Sequence, residues 1–295
     1  MTAAAQGRAG PRRSQNRPLT PARRLARLAT PWLRRLLLWL FALWCFFPIY
    51  WLVTMSLKRQ VDAIARPPRF LFTPVWDNYQ AVLHNGDVWG YFGNSLIVAL
   101  GSTAVALALG VPTAYVIARY RFRGNADFGF WILSTRMTPP VAMLIPFFIL
   151  YVRTGLIDTY VGLIVAHVAL NLSIVTWLMK GFFEDLPAEL EEAAFMDGAT
   201  AFQAFRQICL PLAMPGIAAV AILAFLFSWN EFLFTLVLGD RIRTVPIGLY
   251  SFVGYQQIDW GGLTASAVVM LAPVLAFVFV FQRQLVRGLT MGAIK

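Results

Sequence analysis

Charge is scarce in this sequence and acid scarcer still: only 13% of its 295 residues are Asp, Glu, Lys or Arg, and neither an acid nor a lysine occurs before position 58. With 59% hydrophobic residues and a mean hydropathy of +0.64, an ordinary water-soluble globule of this size is excluded. Cysteine is limited to Cys45 and Cys209, too few and too far apart for a disulfide framework or a four-ligand zinc site. The two histidines, His84 and His167, lie in no HExxH pattern, which excludes that form of metal hydrolysis. None of the three lysines, Lys58, Lys180 and Lys295, stands in G-x4-G-K-[ST], and no GxGxxG occurs, so the chain has no phosphate cradle of its own. Ser, Thr and Asp are present without an activating base in reach, so no nucleophilic triad is assigned. The expectation is a chain with no catalytic residues, no metal and no bound cofactor.

What the sequence does have is long apolar runs. Positions 36–57 read LLLWLFALWCFFPIYWLVTMSL, 22 residues without a charge, which at about 1.5 Å per residue cross roughly 30 Å of hydrocarbon. No small-residue cleavage site follows, so this run is read as an uncleaved anchor. Five more runs of bilayer length cover 92–118, 128–150, 160–179, 211–238 and 263–281. The fold class is therefore all-α, a polytopic membrane protein with six transmembrane helices. An even count puts both termini on one side, and summing Lys and Arg over alternate sides gives 17 on the terminal side against seven on the other. Basic residues stay inside, so both ends are expected in the cytoplasm.

The formal net charge of +11 comes largely from nine arginines before position 36. A basic tail of this kind is a positive-inside anchor beside anionic lipid headgroups; it lacks the interleaved aromatics of a nucleic-acid binder. The tryptophans at 32, 39, 44, 51 and 76 suit interfacial belts and packing. The expected organisation is a cytoplasmic tail over 1–35, a membrane domain over 36–283 and a second cytoplasmic tail over 284–295. Outside, 58–91 is the longest segment, with extended turns expected at Pro67-Pro68 and Pro74.

Inside, 180–210 reads KGFFEDLPAELEEAAFMDGATAFQAFRQICL, with six acids and two bases on a side that is otherwise basic. Pro187 and the helix formers of 188–196 predict a short helix that ends in a left-handed residue at Gly198. Thr200 and Gln203 form a capping box for a second helix, in which Phe202, Phe205 and Ile208 recur near helical spacing until Leu210-Pro211 closes it. Ala193 and Ala194 leave one face of the first helix nearly flat, and Glu189 and Glu192 suit arginines on a docking partner.

Glu192-Ala193-Ala194, three residues, Gly198, nine residues and Ile208-Cys209-Leu210-Pro211 fit EAA-x3-G-x9-I-x-LP. In this the chain resembles the permeases of binding-protein-dependent ABC importers. Pro67-Pro68, Asn78-Tyr79, Trp229-Asn230-Glu231 and the ending at 288–295 resemble the maltose-type, carbohydrate-uptake branch. The resemblance implies that 180–210 is a coupling-helix loop. It docks in a cytoplasmic ATPase through Glu189, Glu192, Ala193, Ala194, Asp197, Gly198, Ile208, Leu210 and Pro211. It implies a homologous permease, two ABC ATPase subunits carrying ATP and Mg, an extracytoplasmic solute-binding protein and a sugar or polyol as cargo. Thr290, Gly292 and Lys295 would reach the ATPase from the C-terminal tail; a frayed terminus is the other reading of that tail.

Ionisable residues within the spans are few, and such residues face a protein interior or a watery path. Arg136, Asn171, Asn230 and Glu231 are candidates for the translocation path or its gate; an ion pair that fixes packing is the alternative, and His167 reads as a satisfied core histidine. Pro139-Pro140 predicts a bent or broken helix in the third span. Two other functions stay open: an ion- or proton-coupled secondary transporter using Glu231, His167 and Arg136, and a membrane scaffold or sensor whose acidic loop recruits a soluble partner.

Overall fold

The computed structural model describes the backbone of residues 21–291 and the side chains of 32–276, 278 and 279. The chain divides into two compact units between Trp51 and Leu52. Helix α1, Pro21–Ser56, starts well before the expected span. Its proline at the first helical position has no N–H to leave unsatisfied. Its apolar stretch Trp32–Ser56 buries none of its most hydrophobic window, and Trp44 is 78% exposed. Such a helix is made for a non-aqueous surrounding.

The second unit contains α2 (Gln60–Ala63), α3 (Asp77–His84), α4 (Gly86–Arg119), α5 (Asn125–Ser134), a 3-10 turn (Thr135–Met137) and α6 (Pro140–Thr154). It continues through α7 (Tyr160–Glu184), α8 (Glu189–Met196), α9 (Ala201–Ala204), a π-helical turn (Phe205–Cys209), α10 (Leu210–Trp229), α11 (Leu233–Leu238), α12 (Val245–Tyr250) and α13 (Trp260–Met291). The described residues hold no strand, only an isolated bridge between Val253 and Ile258. Among the described residues, four helices are long and apolar enough to cross a membrane; the bent pair Asn125–Met137 and Pro140–Thr154 makes a fifth if counted as one span, and Trp260–Ala276 is a shorter apolar stretch. The all-α membrane fold and the six-span order hold.

Several boundaries differ from expectation for physical reasons. The third span is not merely kinked but turns through 95° at Thr138-Pro139, because neither proline can continue the hydrogen-bond ladder of α5. The fifth span ends at Trp229 rather than Leu238, and the chain breaks over 230–232 before α11. The segment 58–91, expected to carry extended turns, is largely helical: it holds α2, α3 and the start of α4. Asn78 Nδ2 ties this cap down by donating to the carbonyls of Ser56 and Lys58, at 2.9 and 3.0 Å. At the other end α13 runs past 283 to Met291 without interruption.

The core forms where α4 lies against α7. Small residues recur along the buried side of α4, at Ala99, Ser102, Ala106 and Gly110, and let two backbones approach closely where lipid offers no hydrophobic driving force. A Cβ added at Gly110 would sit 2.7 Å from Val175 Cγ1, so glycine is required by contact at this position. Tyr115, Val175, Met179, Phe183 and Cys209 continue the same cluster towards the acidic loop.

On the opposite face Asp158 links the α6–α7 turn to the α11–α12 connection. Its Oδ1 accepts from the backbone N–H groups of Asp240, Arg241 and Ile242, each at 2.9 Å. Partial burial works to raise the carboxyl's pKa, but the three amides and the Arg241 side chain outweigh it and hold it below the usual aspartate range. A depressed carboxylate contributes stability above its unfolded pKa of about 3.9 and loses it as the pH falls through the folded value. Asp158→Asn is therefore expected to melt below the unaltered protein at pH 7 in detergent, with the gap closing below about pH 4. A gap that stays constant down to pH 3 would refute this clamp.

Candidate functional site

Two polar regions stand out in the second unit. The first is the acidic loop. Glu189, Glu191 and Glu192 occupy the first turn of α8, where negative charge suits the helix dipole. The helix stops as its sequence predicts: Gly198 has φ +86° and its N–H bonds to Phe195 O, while Ala199 N–H reaches back to Ala194 O. This is the left-handed ending that glycine adopts without a Cβ penalty. Thr200 Oγ1 then accepts from Gln203 N–H at 3.3 Å and Gln203 Oε1 accepts from Thr200 N–H at 2.7 Å, completing the capping box. An open groove of about 460 Å³ lies between α8 and the following turns, lined by Leu190, Ala193, Ala194, Asp197, Gly198 and Ile208.

Two expectations about this loop need correction. Ala193 and Ala194 do not form one flat outer face: Ala193 is exposed while Ala194 is buried. The second helix does not close at Leu210-Pro211 either. Pro211 falls in the first turn of α10, and α9, the π turn and α10 form one helical span, Ala201–Trp229. The extra residue of the π turn lets the chain pass the proline without breaking.

Sequence reasoning passed over Glu191. It is 6% exposed while Glu189 and Glu192 face solvent. Its Oε1 lies 2.5 Å from Arg119 Nε and its Oε2 accepts from Tyr115 Oη–H at 2.8 Å. Arg119 also donates from Nη2 to Leu186 O at 2.8 Å. The signal was present as Tyr115 and Arg119, one helical turn apart at the C-terminal end of α4.

The second region is a cavity of about 440 Å³ at the breaks of the third and fifth spans, lined by Arg136, His167, Asn171, Ser228, Asn230 and Glu231 among others. The four residues named for the path therefore share one cavity. Arg136 donates from Nη1 to Leu170 O at 3.3 Å, and its guanidinium lies 4.8 Å from the centre of the Phe227 ring. Asn171 Nδ2 donates to Ala224 O at 3.3 Å, and Asn230 Nδ2 donates to Leu226 O at 2.8 Å on its own helix. Glu231 accepts from the N–H groups of Phe234 at 2.8 Å and Thr235 at 3.1 Å, so its carboxylate caps α11. His167 Nε2 is 3.4 Å from Glu231 Oε2, and its Nδ1 is 2.6 Å from Ser228 Oγ, which is 2.9 Å from Ser102 Oγ. One polar chain thus joins α4, α7, α10 and α11 inside the membrane. Of the C-terminal candidates, Thr290 lies in α13 with its side chain not described, and Gly292 and Lys295 fall outside the described residues, as do positions 1–20 of the basic tail.

Comparison with known proteins places this geometry. The family model described as "Binding-protein-dependent transport system inner membrane component" matches residues 106–291. The trehalose transport system permease protein SugB of Mycobacterium tuberculosis is 35% identical over 84% of this chain and 92% of its own length. The trehalose/maltose transport system permease protein MalG of Thermococcus litoralis is 32% identical over 87% and 94%. Among solved structures, a chain of a bacterial ABC transporter involved in the import of the acidic polysaccharide alginate superposes with a TM-score of 0.71 at 26% identity, over 91% of this chain and 99% of that one. A family model spanning well over half the sequence, two relatives aligned nearly end to end and a matching solved fold agree: the chain belongs to the inner-membrane components of binding-protein-dependent transport systems.

Proposed function

We propose that this chain is the permease subunit of an ATP-driven importer of a sugar or polyol, working with a homologous permease, two ABC ATPase subunits and an extracytoplasmic solute-binding protein. The observation that carries the reading is the single helical span Ala201–Trp229. It starts three residues after Gly198 and ends beside Asn230 and Glu231 at the cavity. At 29 residues and about 1.5 Å per residue it is a lever of roughly 43 Å. Its cytoplasmic end carries the corner that meets the ATPase, through Glu189, Glu192, Ala193, Asp197 and Gly198. Its other end borders the translocation path, where Arg136, Asn171, Asn230 and Glu231 act as lining or gate.

ATP and Mg belong to the ATPase, and this chain supplies no catalytic group of its own. ATP binding closes the ATPase pair, the docked corner moves with it and the path opens outward; hydrolysis resets it. Both termini are cytoplasmic in this reading, and the C-terminal residues Thr290, Gly292 and Lys295 extend the ATPase contact. The names of the trehalose and trehalose/maltose relatives support a carbohydrate cargo.

The test is uptake of labelled trehalose, maltose and a panel of other sugars and polyols into proteoliposomes containing the chain with its partners. Uptake is expected only with internal ATP and external binding protein together. Gradient-driven uptake by this chain alone would replace the importer with a secondary transporter.

A further inference from the structure

We infer that Tyr115, Arg119 and Glu191 form the joint through which the docking corner moves α4. The inference rests on the importer reading and names how its force is divided. Of the eight residues of α8, only Glu191 and Ala194 are buried. The alanine offers a methyl group, so the directional attachment of α8 to the membrane helices falls to one carboxylate. Both of its oxygens are committed to α4, one to Arg119 and one to Tyr115. Those two residues are four apart on one helical face. The same guanidinium holds Leu186 O, so a planar fork grips the α7–α8 connection on both sides of Pro187.

Rotation of α8 relative to α4 would break both polar contacts of Glu191, in a site where the Arg119 and Glu191 side chains are only 14% and 8% exposed. A buried ion pair is a poor way to gain stability, because desolvation of both charges offsets their attraction. Its directionality is what an apolar contact of the same size lacks. Tyr115 is itself wedged between Phe183 of α7, at 5.5 Å, and Phe205 of the π turn, at 4.7 Å. The joint therefore sits where the two lines of transmission diverge: covalent helix into α10, and polar clamp into α4. Glu191, Arg119 and Tyr115 are positioning residues. They touch neither cargo nor nucleotide and act by making α4 follow the corner.

The experiment places spin labels on the exposed side chains of the corner and of α4, as Met196→Cys and Leu100→Cys in a Cys45→Ser chain. The chain is assembled with its permease and ATPase partners in nanodiscs. Pulsed electron-paramagnetic-resonance distances are read without nucleotide and with a non-hydrolysable ATP analogue. In the otherwise unaltered chain the distance is expected to stay constant, because corner and α4 move together. With Glu191→Gln or the milder Tyr115→Phe the nucleotide is expected to shift it by about 2–5 Å, the scale of helix shifts and one-turn ratchets. ATPase subunits are expected to co-purify in both cases. Arg119→Lys, which keeps charge without the fork, is expected to behave like the Glu191 variant.

A nucleotide-dependent shift in the unaltered chain would overturn the joint, as would variants whose distance stays constant. Loss of ATPase co-purification in Tyr115→Phe as well as Glu191→Gln would also overturn it, by making the cluster part of the docking surface. Failure of the unaltered chain to bind ATPase at all would instead overturn the importer reading, and the joint with it.

Discussion

Gly198→Asp is expected to abolish ATP-dependent uptake while the chain still inserts in the membrane. The backbone at this position has φ +86°, and a Cβ built there meets nothing within 4 Å. Crowding inside the chain is therefore not the mechanism. A left-handed non-glycine residue costs about 1–2 kcal/mol, and aspartate is among the residues that bear that conformation best. A protein with the usual 5–15 kcal/mol of stability absorbs this. The damage comes from outside: the open space around Gly198 is where a docked subunit would come close, and the substitution adds a second carboxylate next to Asp197. An unpaired charge buried in a contact costs about 3–5 kcal/mol, which is a loss of association of more than about a hundredfold.

Gly198→Ala separates the two contributions. It keeps the backbone strain without the charge and is expected to retain measurable uptake. Uptake in proteoliposomes, the membrane-bound fraction and ATPase co-purification read all three consequences. Normal transport by Gly198→Asp would sink the assignment of this corner as the docking surface.

The corner was legible because its determinants are local. A glycine that ends a helix and a threonine that starts the next, with glutamine three residues on, fix φ and capping within a few residues of themselves, and Gly198, Thr200 and Gln203 adopt the expected forms. The apolar runs were equally legible as spans, since length and hydropathy follow from the bilayer alone. What composition hides is where an apolar run stops being one helix. Residues 230–238 remain nearly as apolar as those before them, yet α10 ends at Trp229. The break is set by Glu231 turning back to cap α11, a contact that hydropathy does not register. Pro139-Pro140 located the bend in the third span, but its 95° follows from how α5 packs on α7 and α6 on α11. The roles within Glu189, Glu191 and Glu192 were hidden for the same reason. Three acids in four positions read alike until Tyr115, 76 residues away, singles out the middle one. Ala194 turns inward beside it, one helical turn further along α8.

Glu231 gives the largest expected effect inside the membrane, and its two substitutions separate the importer from a proton relay. Its carboxylate accepts two backbone N–H groups and lies beside both Thr235 Oγ1 and His167 Nε2. Glu231→Ala leaves the first turn of α11 and the buried end of His167 without that acceptor. Each unsatisfied buried group costs about 1–3 kcal/mol. The break between α10 and α11 should loosen, the melting temperature in detergent should fall by about 5 °C or more, and uptake should drop by about tenfold or more, the factor that 1.4 kcal/mol represents. Glu231→Gln keeps one acceptor oxygen, enough for one of the two backbone donors that the two carboxylate oxygens serve, and removes the charge. If Glu231 holds the broken span in shape, this variant keeps clearly more uptake than alanine, because half of the cap survives. A proton carrier makes the opposite demand: a side chain that cannot titrate stops transport as completely as alanine does. Melting curves alongside ATP-driven uptake for the pair give the answer. Equal loss in both variants, with Gln as stable as the unaltered protein, would move Glu231 from the frame of the cavity into the transport chemistry itself.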